Sequence, residues 1–329
     1  MNICDYSLSE LESELTAYLP AYKVKQLFNW LYTKKTKDLS DITTLSKEER
    51  DQLKDKFQLP QYKVIKTHDV SKFQIILADG LLIESVVISE KEHDTLCVSS
   101  QVGCPLGCSF CVTATLGFKR NLTCNEIITQ FLIAKNEGYN IGSFVFMGMG
   151  EPLLNIDNVL KAISILHDEK GANIGMRHFT ISTAGVITGI HKLMKQSLKL
   201  NLAISLNAPE ETLRNTIMPV NKKYPLDKLL KVATEYMEHS GRRVTFEYVL
   251  IAGVNDSVEH LRLLTNLLKG KGFHVNLIPY NENTKKYKRP TDDVVKLFAT
   301  NLEKARINTT IRYSKGQEVN AACGMLGNK

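Results

Sequence analysis

The sequence predicts an α/β protein built on a parallel sheet, and three observations predict it. From Cys97 onward, short apolar runs alternate with amphipathic stretches of helical period. Those runs end in small polar or glycine-rich residues, which is where parallel sheets collect their sites. A nine-residue loop from Gly103 to Cys111, GCPLGCSFC, follows the first of them and carries three cysteines spaced C-x3-C-x2-C. Repeated βα units of this kind form a sheet that is either open or closed into a barrel.

In chain order, residues 1–60 read as a helical domain. Leu8, Leu11 and Leu15 recur at helical spacing, as do Val24, Leu27, Phe28 and Leu31, and Ser46 before Glu48 and Glu49 marks a further helix start. Trp30 falls on the apolar stripe and reads as core. Residues 61–94 change period. KVIKTHDV, FQIILADG and LLIESVVIS read as a small β-rich element with a hairpin turn at Ala78-Asp79-Gly80, and Glu84 interrupts an otherwise apolar strand. Residues 95–329 form the βα part. Its strands are CVSSQ, SFVFMGM, HFTISTAG, LNLAISLNA, VTFEYVLI, FHVNLIP and NTTIRYS, with helices between the later ones, the first capped by Thr123 and ending at Gly138.

Composition bounds the class. In 329 residues, 43% are hydrophobic and 23% charged, as in ordinary globular proteins. No apolar run approaches the roughly 20 residues of a membrane span, and MNICDYSLSELESEL lacks the apolar core of a secretory signal. Seven cysteines, three of them clustered, point to a reducing cytoplasmic setting with metal or redox chemistry. A net charge of +7 permits a polyanionic partner. The basic pairs Lys119-Arg120, Lys222-Lys223, Arg242-Arg243, Lys285-Lys286 and Lys288-Arg289 together suggest RNA.

The cysteine loop carries the chemistry. Structural zinc takes four N or S ligands, and the closest further candidates are His93, Cys97 and Cys124. An iron–sulfur cluster usually takes four thiolates, so Cys104, Cys108 and Cys111 would leave one iron open to a substrate or cofactor. A zinc knuckle or a surface loop stands as the bland alternative. At the strand ends lie Gly150 and Glu151, then Ser182, then Ser205, Leu206 and Asn207, and near the last inner strand Asn281. Each is weak alone, because Gly, Ser and Asn favour turns anyway. Their gathering at one face of one sheet is the stronger signal.

The loop, with an aromatic residue before its last cysteine, resembles the signature of radical S-adenosylmethionine (SAM) enzymes. CVSSQVGC, GCSFC, MGMGEPL, ISTAG, NKKYP, GVND, VNLIPYN and AACG together resemble the RlmN/Cfr family of radical-SAM RNA methyltransferases, over nearly the whole chain. The resemblance implies a partial (β/α)6-type radical-SAM barrel preceded by the helical domain and the small β element. It implies a [4Fe-4S] cluster on Cys104, Cys108 and Cys111, with SAM held by Gly150, Glu151, Ser182, Ser205, Leu206, Asn207 and Asn281. One SAM would methylate a cysteine and the other would yield a 5′-deoxyadenosyl radical. The amidine carbon of adenine is electrophilic, so direct methylation lacks a nucleophile, whereas a thiolate is a good one.

By the same resemblance, Cys323 would carry the methyl group, Cys97 would resolve the RNA adduct as a disulfide, and Glu84 would accept the ring proton. Asn207 departs from the family's usual His. Glu151-Pro152, Pro279 and Gly117-Phe118 lean to the carbon-2 branch, with carbon 8 the alternative. The implied partners are 23S rRNA, tRNA and a flavodoxin- or ferredoxin-like electron donor, with the protein a monomer. A reading from another class is a non-catalytic iron–sulfur protein that binds RNA or senses redox state, which would need none of Cys323, Cys97 and Glu84.

Overall fold

A computed structural model describes residues 1–66, 72–89, 91–196, 198–282, 286–313 and 324–327. Cys323, Gly316 and Lys285 lie outside the described residues.

The chain opens with three helices, α1 (Leu8–Leu15), α2 (Ala21–Thr33) and α3 (Lys47–Lys56). The Ser46 and Ser7 side chains cap the third and first of these, each answered by a glutamate three residues on. Strands β1 (Tyr62–Lys66), β2 (Lys72–Leu77), β3 (Leu82–Ile88) and β4 (Asp94–Cys97) follow, each antiparallel to the one before. The turn between β2 and β3 falls at Ala78–Gly80 as the sequence predicts.

Beyond β4 lie β5 (Gln101–Gly103), α4 (Val112–Thr115), β6 (Phe118–Asn121) and α5 (Cys124–Glu137). The βα alternation then runs through β7 (Ile141–Phe146), α6 (Ile156–His167), β8 (Phe179–Thr183), α7 (Ile187–Met194), β9 (Asn201–Ser205), α8 (Glu211–Ile217) and α9 (Leu226–Ser240). It ends with β10 (Thr245–Leu250), α10 (Val258–Leu268), β11 (His274–Pro279), α11 (Asp292–Lys304) and β12 (Asn308–Ile311).

Ten strands make one sheet in the order β1-β2-β3-β4-β7-β8-β9-β10-β11-β12. From β4 to β12 every described pairing is parallel. The sheet is thus the open, partial barrel expected, and β1–β3 continue it as an antiparallel flank. The parallel strands alternate, as in β8 (FTIST) and β11 (HVNLIP): Phe179, Ile181, Val275 and Leu277 pack in the core, while Thr180, Ser182, His274 and Asn276 line the cavities inside the curved sheet. The N-terminal helices share their core with α5 and α6: Phe28, Leu27, Ile128 and Ile163 belong to one buried cluster. Cys4 and Cys124, read as ordinary thiols, meet in this seam, with Cys124 Sγ donating to the Cys4 carbonyl at 3.9 Å. Burial pushes the Cys4 thiol up to about 12, which keeps it protonated and inert. Trp30 is half-buried against the core, with its Nε1 lacking a hydrogen-bond partner among the described residues.

Among the described residues no helix is long and apolar enough to cross a membrane.

Candidate active site

Parallel strands deliver their C-terminal ends to one rim, and the loops leaving β4, β7, β8, β9, β10 and β11 surround a cavity there. Its volume is about 930 Å³, solvent mouth included. Cys104, Cys108 and Cys111 line it together with Gly150, Glu151, Ser182, Ser205, Asn207, Asn281 and Gly324.

The cysteine loop is clamped at its root by the β5–β6 hairpin, in which the Cys104 N–H donates to the Gly117 carbonyl at 3.2 Å. Gly103 stands at φ +74, and a Cβ there would sit 1.7 Å from that same carbonyl oxygen. Only glycine allows this crossing. The loop's far end is tied to the C-terminal segment. The Val112 N–H donates to Gly324 O at 3.0 Å, and the Thr113 hydroxyl donates to Leu326 O at 2.8 Å.

Burial pushes the Cys104 thiol up to about 12, and Cys111 and Glu151 add to the rise by charge repulsion. Cys108 is pushed higher still by burial, with only Arg214 opposing. With Cys104 and Cys108 so desolvated and so little positive charge around them, a cationic centre is needed to hold these two as thiolates. Among the described residues, no three His, Cys, Asp or Glu side chains are placed for a single metal ion. The fit therefore rests on donor type: three sulfurs on one loop facing one cavity, a set that suits an iron–sulfur cluster with one iron left for a further ligand.

Glu151 is buried at the end of the β7 loop. Its Oε2 accepts the Ala184 N–H at 2.8 Å and its Oε1 the Leu153 N–H at 3.1 Å. Burial still pushes its carboxyl up to about 7. Gly150 precedes it at φ +99, where a Cβ would lie 2.8 Å from the Gln101 backbone nitrogen. The Ser182 hydroxyl donates to Glu247 Oε2 at 3.1 Å. Glu247 also lines the cavity, buried, and burial raises its carboxyl.

Asn207 sits at φ +57, a region that Asn tolerates better than most residues. Its side chain is committed: Oδ1 accepts the Val249 N–H at 2.8 Å and Nδ2 lies 3.2 Å from Met218 Sδ. Leu206 does not line the cavity. Its side chain is in the core, its N–H donates to Glu247 O, and its carbonyl accepts from Arg214.

Arg214 is a residue that sequence reasoning missed, along with its helix α8. It is fully buried and donates to the carbonyls of Ala184, Ser205 and Leu206 and to Asn221 Oδ1. One guanidinium thus staples the ends of β8 and β9 together behind the cavity. The signal was present: Arg214, Ile217 and Met218 share one helical stripe, so the arginine lies on an apolar face. Arg214→Met is expected to leave these acceptors unsatisfied and to lower the unfolding free energy by roughly 3 kcal/mol, read from the urea midpoint.

Glu84 and Cys97 lie on the flank beside this rim. The register pairs Val86 with Cys97, so Glu84, two residues away, projects from the same face of the sheet as Cys97. Both are buried. The bland reading of Glu84 as a solvent-facing residue fails: it is 0% exposed, and Lys72 Nζ stands 3.0 Å from its Oε1. Gln74 Nε2 donates to the same oxygen at 2.9 Å and the Gly327 N–H to Oε2 at 2.7 Å. The segment 324–327 therefore spans from the cysteine cavity to Glu84, and Cys323 precedes it directly in the chain.

Of the basic pairs, Arg120 is committed structurally, forked onto Glu126 at 2.7 and 2.8 Å and bound to Asp79. Arg242 and Arg243 lie at the start of β10, the opposite end of the strands from the cysteines. Lys222 and Lys223 remain exposed.

The profile of the radical SAM superfamily matches residues 98–264. A "probable dual-specificity RNA methyltransferase RlmN" from Dictyoglomus turgidum is 44% identical over 335 residues, covering 99% of this chain and 96% of the relative. The protein of the same name from Thermotoga neapolitana is 42% identical, covering 99% and 97%. Among solved structures, a radical SAM methyltransferase from Sphaerobacter thermophilus superposes with a TM-score of 0.94 at 38% identity, covering 99% of each chain.

Proposed function

The chain belongs to the radical SAM superfamily and, within it, to the RlmN family of RNA methyltransferases, and on that premise we propose that it methylates carbon 2 of an adenine in 23S rRNA, with tRNA as a second substrate. The observation that carries this reading is the shared cavity. Three cysteines, the buried Glu151 and the residue following Cys323 all line it. The dual specificity in the relatives' names supports two RNA classes.

In this reading Cys104, Cys108 and Cys111 hold the [4Fe-4S] cluster. Gly150, Glu151, Ser182, Ser205, Asn207 and Asn281 form the SAM wall, with Leu206 contributing through its neighbours. When bound, cluster and SAM supply a methyl donor and one-electron chemistry that makes a carbon radical. The protein's own residues do the rest. The Cys323 thiolate accepts a methyl group and delivers the carbon to the base. The Cys97 thiolate then attacks the Cys323 sulfur: an S–S bond forms as the S–C bond to the base breaks, the pair of that bond stays on the carbon and takes a proton to complete the methyl group, the RNA is freed, and the Glu84 carboxylate takes the ring proton.

A helical segment over 1–60 with exposed Tyr18 and Tyr22, and the exposed Phe118 and Lys119 beside the cysteine loop, offer rings and charge to RNA. We assign the supply of electrons to a flavodoxin- or ferredoxin-like protein, and the setting to the cytoplasm, with the protein acting as a monomer. The test is reaction of the anaerobically reconstituted protein with unmodified 23S rRNA and tRNA, followed by digestion and mass spectrometry. 2-Methyladenosine is expected; 8-methyladenosine, or no methylation, overturns the proposal.

A pH dependence follows from Glu151. Its folded-state value, about 7, lies above that of an ordinary carboxyl because burial disfavours the charge. Only the carboxylate attracts the SAM ammonium. SAM affinity is therefore expected to rise as pH goes from 6 to 8, by about tenfold, and then to level off. Glu151→Gln should bind weakly and show no such slope, as read by equilibrium dialysis. The sign is opposite for stability: a raised carboxyl stabilises the unliganded fold at low pH and loses that contribution as pH climbs through about 7.

A further inference from the structure

A second cavity opens at the other end of the barrel, where β8, β9, β10 and β11 begin. Its volume is about 1040 Å³, mouth included. Arg242, Arg243, Arg312 and His274 line it with Asn201 and Asn276, and among the described residues no Asp or Glu does. Glu247, in the catalytic cavity, acts electrostatically on Arg312. The charge excess below it comes from Arg242 and Arg243.

Two nitrogens of these lining residues are buried without a hydrogen-bond partner among the described residues: Arg242 Nε and His274 Nδ1. The first is a donor. The second is fixed by its network. The Thr310 hydroxyl donates to Asn276 Oδ1 at 2.7 Å, while His274 Nε2 lies 3.0 Å from that oxygen and 2.6 Å from Thr310 Oγ1. The ring proton must therefore sit on Nε2, leaving Nδ1 as a lone pair. Burial, and then Arg243, hold the ring below its usual value, so it is neutral near pH 7. A buried acceptor and a buried cationic donor, on residues lining one cavity and both unmet among the described residues, carry a desolvation cost that a ligand with both functions removes.

We propose that this lower cavity binds inorganic phosphate, which keeps at least one P–OH in both of its neutral-pH forms. Its P–O⁻ oxygens meet the guanidinium groups of Arg242 and Arg243, and its P–OH donates to His274 Nδ1. Sulfate and acetate have no proton to give near neutral pH. The phosphodiesters of an RNA backbone lack the P–OH as well. Phosphate monoesters, with a second pKa of about 6, are mainly the dianion and lack it too. The ligand is thus the free phosphate ion, bound apart from the RNA mouth and independent of the methyltransferase reading.

The test is isothermal titration of the whole protein, with S-adenosylhomocysteine present in excess to fill the upper cavity. Inorganic phosphate is expected to bind saturably at one site, and AMP, mainly a dianion without a P–OH above neutral pH, at least about tenfold more weakly. AMP binding as tightly as phosphate overturns the proposal. Sulfate and acetate should bind at least about tenfold more weakly. Arg243→Gln, at an exposed position that leaves the fold intact, should weaken phosphate about tenfold. His274→Asn should narrow the preference for phosphate over sulfate. No saturable heat, equal affinity for phosphate and sulfate in the wild type, or an unchanged Arg243→Gln variant overturns the proposal.

Discussion

Replacing Cys323 with alanine is expected to abolish RNA methylation while leaving the iron content and SAM affinity of the reconstituted protein unchanged. The target carbon is electron-poor and flanked by two ring nitrogens, so it cannot attack a methyl sulfonium directly. Some residue must first take the methyl group as a nucleophile, and a thiolate does this better than any other side chain. Alanine removes the carrier altogether, so the loss should be at least about a thousandfold rather than a partial slowing. Gly324, the next residue in the chain, lines the same cavity as Cys104, Cys108 and Cys111. Cys97→Ala is expected to behave differently. The carbon is delivered, but no second sulfur resolves the adduct, so a protein–RNA crosslink should accumulate and appear as a shifted band on a denaturing gel. Methylation by Cys323→Ala at a wild-type rate would remove the carrier from the mechanism. It would return the chain to a one-thiol or thiol-free chemistry.

The order of elements could be read from the sequence because each is locally consistent. Short apolar runs such as FVFM and LAIS mark strands, and the caps at Ser46 and Thr123 mark helix starts that the structure keeps. The grouping of Gly150, Glu151, Ser182, Ser205, Asn207 and Asn281 was legible for a topological reason: parallel strands send equivalent positions to one rim. What escaped was set by partners distant in sequence. Lys72 begins a strand as any surface lysine would. Only the β2–β3 pairing brings it to Glu84. Helix α8 spans only seven residues; its stripe sets Arg214 on an apolar face, but the role of Arg214 depends on three carbonyls from two strand ends, which no local pattern names. Strand β6 is four residues with three exposed, so it carries no hydrophobic pattern at all. Asn207 looked like a departure at a ligand position. Its amide instead closes the β9–β10 junction, and its backbone takes a left-handed turn.

Lys72→Met is expected to lower the unfolding free energy by about 3–5 kcal/mol. Lys72 is 3% exposed and Glu84 0%, so neither charge is hydrated by bulk water. Their attraction at 3.0 Å balances the cost of burying both. Methionine keeps the volume and removes the positive charge. The carboxylate would then retain only the neutral Gln74 amide and the Gly327 N–H among the donors described at its oxygens. Glu84→Gln should cost a comparable amount, because it removes the carboxylate that faces the buried lysine at 3.0 Å. The double variant should recover much of the loss, since two neutral groups of similar size need no counter-charge. Urea unfolding of the four proteins completes the cycle, and strictly additive losses would mean that the pair is not coupled. The same change reaches the reaction. Glu84 is the acceptor for Gly327, so a carboxyl that moves or takes up a proton loosens the anchor of the C-terminal segment that begins just after Cys323. Limited proteolysis should then cut the tail of Lys72→Met faster than that of the wild type, whereas Arg214→Met, equally buried but on the far wall of the cavity, should leave the tail's cleavage rate unchanged at equal folded fraction.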